Sequence, residues 1–87
     1  MTSCLRNIGN MLYQCHWDGI TVYNSKLKQV KNIHYDDMGI VYDVCDMPNG
    51  DLVVAATNGL YHTKTSGECY LHYSNVMPVH LLISHLN

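Results

Sequence analysis

Apolar residues in this chain come in short runs cut by glycine-bearing turns. The clearest run lies in "NGDLVVAATNGLYHTKT", residues 49–65, with Asn49-Gly50 before it and Asn58-Gly59 after it. Asn-Gly suits a tight hairpin, because both central residues of a type I′ turn take positive φ. The stretch predicts turn, strand, turn, strand. Its first strand is apolar at consecutive rather than alternate positions, the pattern of a strand covered on both faces. The same reading along the chain predicts strands at 4–8, 11–16, 20–24 and 28–33, then at 40–46, 51–57, 60–64 and 69–73. No window holds a 3.6-residue apolar period over ten or more residues without Gly or Pro, so the chain is expected to be all-β. The tail, Val79 to Leu86, fits a further strand, although its histidines on a Leu/Ile background would also suit a short helix.

The strands repeat. "CLRNIGNMLYQC" from Cys4 overlies "CDMPNGDLVVAA" from Cys45, placing Cys on Cys and Gly9 on Gly50. With one residue of slack, Asp18-Gly19-Ile20 falls on Asn58-Gly59-Leu60, and 28–33 falls on 68–73. A third copy opens with Leu81 to Leu86 over Val41 to Asp46. Four short antiparallel strands at a spacing of roughly 40 residues are the signature of a propeller blade. The expected architecture is therefore two four-stranded antiparallel propeller blades, 1–35 and 36–75, with 76–87 as the first strand of a third blade or a tail. This is an incomplete β-propeller. Two blades leave two apolar faces bare, so the isolated chain is expected to self-associate or to be a piece of a longer propeller.

Two segments, "YDVCDMPNGDLVVAATNGLYHT" and "NMLYQCHWDGITVYNSKLKQVKNI", resemble the NHL-type propeller repeat of tripartite-motif NHL proteins. The "NGDLVVAATNGLY" core is also similar to the propeller repeats of two-component regulators. The NHL resemblance implies part of a six-bladed propeller, of the kind that serves as the substrate-recognition part of a ubiquitin-ligase-type protein. The sequence departs from that pattern where Ala-Asp usually ends the second strand, here Cys15-His16 and Ala56-Thr57. It carries no RING or B-box array of Cys and His, so ligase activity is not carried over.

Composition narrows the function classes. A net charge of −2 offers no field for phosphate backbones and disfavours nonspecific nucleic-acid binding. "MTSCLRNIGN" lacks the basic and apolar regions of a signal peptide, and no apolar window approaches a membrane span, so a cytoplasmic protein with no membrane partner is expected. Cys4, Cys15, Cys45 and Cys69 are then expected to be free, buried thiols. The nearest zinc-like set, Cys69, His72, His80 and His85, lacks paired knuckles. Cys15 and His16 are strand neighbours facing opposite ways, unsuited to a thiol–base pair. None of the G-x-S-x-G, P-loop, H-E-x-x-H or dinucleotide fingerprints occurs. No catalytic residue, metal ligand or cofactor is expected, and Asp36-Asp37 reads as a solvated loop.

The loops carry the functional expectation. In a propeller, the second-to-third strand turns and the blade-to-blade connections gather on one rim. That rim would collect Trp17, Asp18, His34, Tyr35, Asp36, Asn58, Asn75 and Met77, with Met38 nearby. Trp, Tyr and Met favour recognition surfaces. The alternative for Trp17 is packing between blades. The leading reading is a non-catalytic binding module for a protein or peptide. The rival is a single-stranded RNA surface stacking bases on Trp17 and Tyr35, disfavoured by Asp18, Asp36 and Asp37 and by the absence of Lys or Arg from these loops.

Overall fold

The structure, a computed structural model, describes residues 2–73. Eight strands follow one another: β1 (Thr2–Ile8), β2 (Met11–His16), β3 (Gly19–Tyr23), β4 (Gln29–His34), β5 (Val41–Asp46), β6 (Leu52–Ala56), β7 (Gly59–Thr63) and β8 (Cys69–Tyr73). They form two four-stranded antiparallel sheets, β1-β2-β3-β4 and β5-β6-β7-β8, each an open meander in chain order. No helix occurs among the described residues. The all-β expectation holds. The strand expected at Leu81 to Leu86 lies outside the described residues.

Strand ends differ from expectation at the tight turns. β3 and β7 begin on Gly19 and Gly59, because the loops before them are Trp17-Asp18 and Thr57-Asn58. Asn58-Gly59 is therefore not the central pair of a type I′ turn: Gly59 has φ 147°, and Asn58 is not among the residues with positive φ. Gly19 is required for space. A β-carbon there would collide with the Ile33 carbonyl oxygen on the neighbouring strand.

Register also corrects the repeat. Cys4 pairs with Cys15 and Arg6 with Tyr13, while Asp43 pairs with Ala55 and Cys45 with Val53. His16 faces Gly19 as Ala56 faces Gly59. Cys4 is thus the counterpart of Asp43, and Arg6 that of Cys45; the Cys-on-Cys alignment is two residues out in the first strand. One of the two residues comes from the first turn, where Gly9-Asn10 suffices in one copy and Pro48-Asn49-Gly50 in the other, closed by Met47 N–H to Asp51 O at 2.7 Å; the other is shared with β2, which that alignment also sets one residue off its counterpart β6.

The sheets stack face to face. Cys15, Ile20 and Val22 meet Val41, Val44, Val54 and Ala56 in one core, which Tyr35 and Met38 from the linker complete. Met38 is 1% exposed, a burial that stabilises by on the order of 1.5–3 kcal/mol. The second sheet's other face is also buried, at Cys45, Val53, Ala55 and Leu60. This accounts for the continuous apolar run of β6. The first sheet's other face carries a polar ladder beside an exposed Leu5: Tyr23 Oη donates to Gln14 Oε1 (2.9 Å), and His16, Thr21 and Asn32 form a chain at 3.0 Å per link.

One buried carboxylate ties the sheets. The β5 register slips between Val41 and Asp43, an irregularity of the kind that re-aims a side chain, and Asp43 reaches the first sheet. Arg6 Nε and Nη2 donate to its two oxygens at 2.7 Å each, while Cys4 Sγ (3.2 Å) and the Val44 amide (2.9 Å) donate to Oδ1. Burial works to raise the Asp43 pKa, but these four donors outweigh it and hold the group below its ordinary value. Its partner side chain is 46% exposed against 2% for Asp43.

Two predictions follow from this packing. Arg6→Ala leaves a buried carboxylate half-satisfied and should cost about 2–3 kcal/mol in urea unfolding at pH 7, below the range for fully buried pairs because Arg6 is half in solvent. A lowered folded pKa means that the unfolded chain takes up the proton first. The stabilisation from Asp43 is complete above its ordinary range near pH 4 and is lost as pH falls through the lowered value, so Arg6→Ala should also show a shallower acid-induced loss. Gly19→Ala should lower stability by about 1–3 kcal/mol, since backbone rather than a flexible side chain must move; an unchanged urea midpoint would contradict the close approach.

Candidate functional site

The linker from β4 to β5, residues 35–40, organises the loops at one end of the molecule. Its Tyr35 amide donates to Asp18 O in the β2–β3 loop (3.2 Å). From the β6–β7 loop, the Thr57 and Asn58 amides donate to Ile40 O and Met38 O at 2.9 and 3.2 Å. Three loops are thereby fixed to one another by backbone. The Asn58 side chain adds a bond to Asp37 O at 2.7 Å, where Asp37 sits at φ 60°, a region that Asp tolerates better than most residues.

On this frame, charged and aromatic side chains collect. His16 Nδ1 lies 2.9 Å from Asp18 Oδ1, His34 Nδ1 3.5 Å from Asp18 Oδ2, and His34 Nε2 3.0 Å from Asp36 Oδ1. The chain His16–Asp18–His34–Asp36 joins the ends of β2 and β4 with the loop and linker that follow them. Beside it, at the tip of the β2–β3 loop, Trp17 is 62% exposed. Trp17 does not pack between the sheets. An exposed indole next in sequence to Asp18, whose carboxylate is joined to Asp36 through His34, is suited to a cationic side chain, which the ring attracts through its quadrupole and the acids through charge.

Trp17, Asp18, His34 and Asp36 are therefore brought together, and Asn58 latches the rim through its bond to the linker. Tyr35 and Met38 are corrected: both are buried in the core rather than displayed, because the linker turns them inward between the sheets. Asn75 and Met77 lie outside the described residues. Cys15 and Cys45 are buried free thiols and Cys4 is partly buried, but Cys69 is exposed. Burial pushes the Cys15 thiol up to about 12, the opposite of an activated nucleophile. Among the described residues no group of three or more His, Cys, Asp or Glu is placed to hold a metal ion, and none forms a helix long and apolar enough to cross a membrane.

A cleft of about 560 Å³ opens behind the rim, lined by Tyr13, Lys31, Tyr35, Leu52, Tyr61 and Lys64 among others. Burial pushes the Tyr35 hydroxyl up to about 12, against a smaller opposing influence from Thr63. Its oxygen finds no hydrogen-bond partner among the described residues, and the Thr63 hydroxyl donates to Cys69 Sγ at 3.5 Å. Sequence reasoning missed this cleft. Its tyrosines come from both sheets and the linker between them, and the signal that could have found them is the facing of those sheets, which strand alternation does not reveal.

Compared with family models, curated proteins and solved structures, the chain matches none.

The latch gives a test of the frame. Asn58→Ala removes one bond to a linker carbonyl and should cost about 1 kcal/mol, while hydrogen exchange at the Tyr35 and Thr57 amides should quicken.

Proposed function

We propose that this chain is a non-catalytic β-propeller segment whose loop rim binds a protein or peptide through a basic side chain. The observation that carries the reading is Trp17, 62% exposed on a backbone-fixed loop tip, next in sequence to Asp18, which His34 joins to Asp36. The Asp36 side chain is 88% exposed. Binding residues held on loops by a rigid sheet scaffold are the usual arrangement for recognition, and an exposed Trp is an energetically favoured anchor. The propeller reading is supported by the stacking of two equivalent four-stranded meanders in chain order. The NHL-like pattern noted in the sequence agrees with a substrate-recognition module.

Single-stranded RNA fits less well. Tyr35, one of the two stacking residues that reading needs, is buried, and the rim presents carboxylates. The chain has a single Trp, so Trp17 fluorescence reports the rim directly. A Lys/Arg-rich peptide should change that emission saturably, a Glu-rich peptide of equal length should not, and Asp18→Asn with Asp36→Asn should weaken binding at least tenfold. An oligouridine titration that shifts the emission and weakens steeply with salt, while the basic peptide gives no change, would replace this reading with the RNA one.

A further inference from the structure

The two sheets meet along their first strands and part toward their last. β5 packs on β1 and β2, and no such packing joins β4 to β7 or β8. The cleft of about 560 Å³ is the space left by that divergence. Register carries a lysine into it. Tyr13 pairs with Val22 and Val22 with Lys31, so the three lie in one row on the core-facing side of the first sheet. Val22 is buried in the core; Lys31, at the outer end of the row, lines the cleft. From the opposite sheet Lys64, just past β7, lines it too, its ammonium 5.5 Å from the Tyr70 ring centroid. Among the described residues neither lysine is ion-paired. Asp36 also borders the cleft, but its carboxylate is bonded to His34 Nε2 at 3.0 Å.

From mouth to base the lining grows drier. The lysines and Asp36 are exposed, Tyr13, Ile33, Leu52 and Tyr61 are half-buried, and Tyr35, Met38 and Thr63 are buried. Tyr35 closes the inner end. It is 9% exposed, and its hydroxyl finds no partner among the described residues. Thr63, Cys69 and Tyr13, three of the groups that act on that hydroxyl, line the same cleft. The Thr63 hydroxyl is itself turned to Cys69 Sγ. A buried hydroxyl without a partner costs stability, and an acceptor entering from the cleft would remove that cost.

We propose that this cleft binds a small aromatic carboxylate with a hydroxyl or carbonyl group at the far end of its ring. Two lysines against one carboxylate leave a single positive charge at the mouth, which suits a monoanion. The half-buried walls cover the aromatic body, and the Tyr35 hydroxyl bonds the polar tip. The volume falls within the range of small-molecule sites, roughly 300–1,000 Å³. Neither Trp17 nor Asp18 lines the cleft, so the site stands apart from the basic-peptide rim, although Asp36 borders both.

Ligand-observed NMR titration of the full-length chain with 4-hydroxycinnamate tests it. Saturable binding should weaken about tenfold in Lys31→Gln with Lys64→Gln, where two exposed ion pairs are lost together. The uncharged methyl ester should lose affinity to a similar extent. Cinnamate, which lacks the hydroxyl, should bind roughly fivefold more weakly, and Tyr35→Phe should abolish the difference between the two acids. Without ligand, Tyr35→Phe should raise the thermal midpoint, because it removes an unpartnered buried hydroxyl. A lowered midpoint would show that hydroxyl to be bonded within the protein and would overturn the assignment.

Cys69 gives an independent reading should the Tyr35 variant fold poorly. It is exposed and lines the cleft, so bound 4-hydroxycinnamate should slow its alkylation by iodoacetamide several-fold. Unchanged alkylation at saturating ligand would place the binding elsewhere and overturn the proposal. So would equal affinity for the lysine variant, or no saturable binding by a chain with β-type circular dichroism.

Discussion

A sheet that is apolar on both faces must be covered on both, and the second sheet of this protein is such a sheet. β6 runs through five consecutive residues that are buried or nearly so, and no alternation is left for water. Much else in the molecule answers to that constraint. The first sheet covers one side, with its own outward face made polar by Gln14, His16, Thr21, Tyr23 and Asn32. The linker between the sheets contributes Tyr35 and Met38 to the seam. Its backbone is then obliged to run along the edge, where its remaining donors and acceptors tie the loops into a rim. The display of Trp17 is a by-product of the same packing: the linker fixes the β2–β3 loop through the Asp18 carbonyl and leaves the residue before it facing solvent.

The Arg6–Asp43 pair sits inside this arrangement as a register device. Apolar faces of similar size slide on one another at little cost, since burial is roughly proportional to area and has no direction. A carboxylate that is 2% exposed and receives four donors at 2.7–3.2 Å permits one alignment only. Arg6 can do this while half in solvent because its fork satisfies both oxygens at once. The pair therefore contributes more to which stacking forms than to how strongly the sheets adhere.

Much of the fold was legible in the sequence, and the failures have physical causes. The β6 run and the Gly-bearing turns announced strands and hairpins because double-sided burial and tight loops restrict composition severely. The Cys-on-Cys alignment failed because matching Cys to Cys and Gly9 to Gly50 set both strands out of register, and a turn one residue longer, which costs little on the surface, added a further shift in the first; identical side chains were a weaker guide than backbone register. Of the site, Trp17, Asp18, His34 and Asp36 could be placed together from loop position alone. Tyr35 and Met38 could not be placed correctly, since Tyr and Met are equally at home at an interface and in a core. The cleft with Tyr13 and Tyr61 depends on how two sheets face each other, information carried by neither strand alone.

The polar ladder on the first sheet gives the stack a sense of direction. Gln14 and His16, held by Tyr23 and by Thr21 with Asn32, occupy the places where the second sheet has Val54 and Ala56, so the outward face of the first sheet carries groups that prefer water. Duplication of the repeating unit could lengthen such a molecule beyond the second sheet with no other change. Extension beyond the first would require five polar residues to be replaced together.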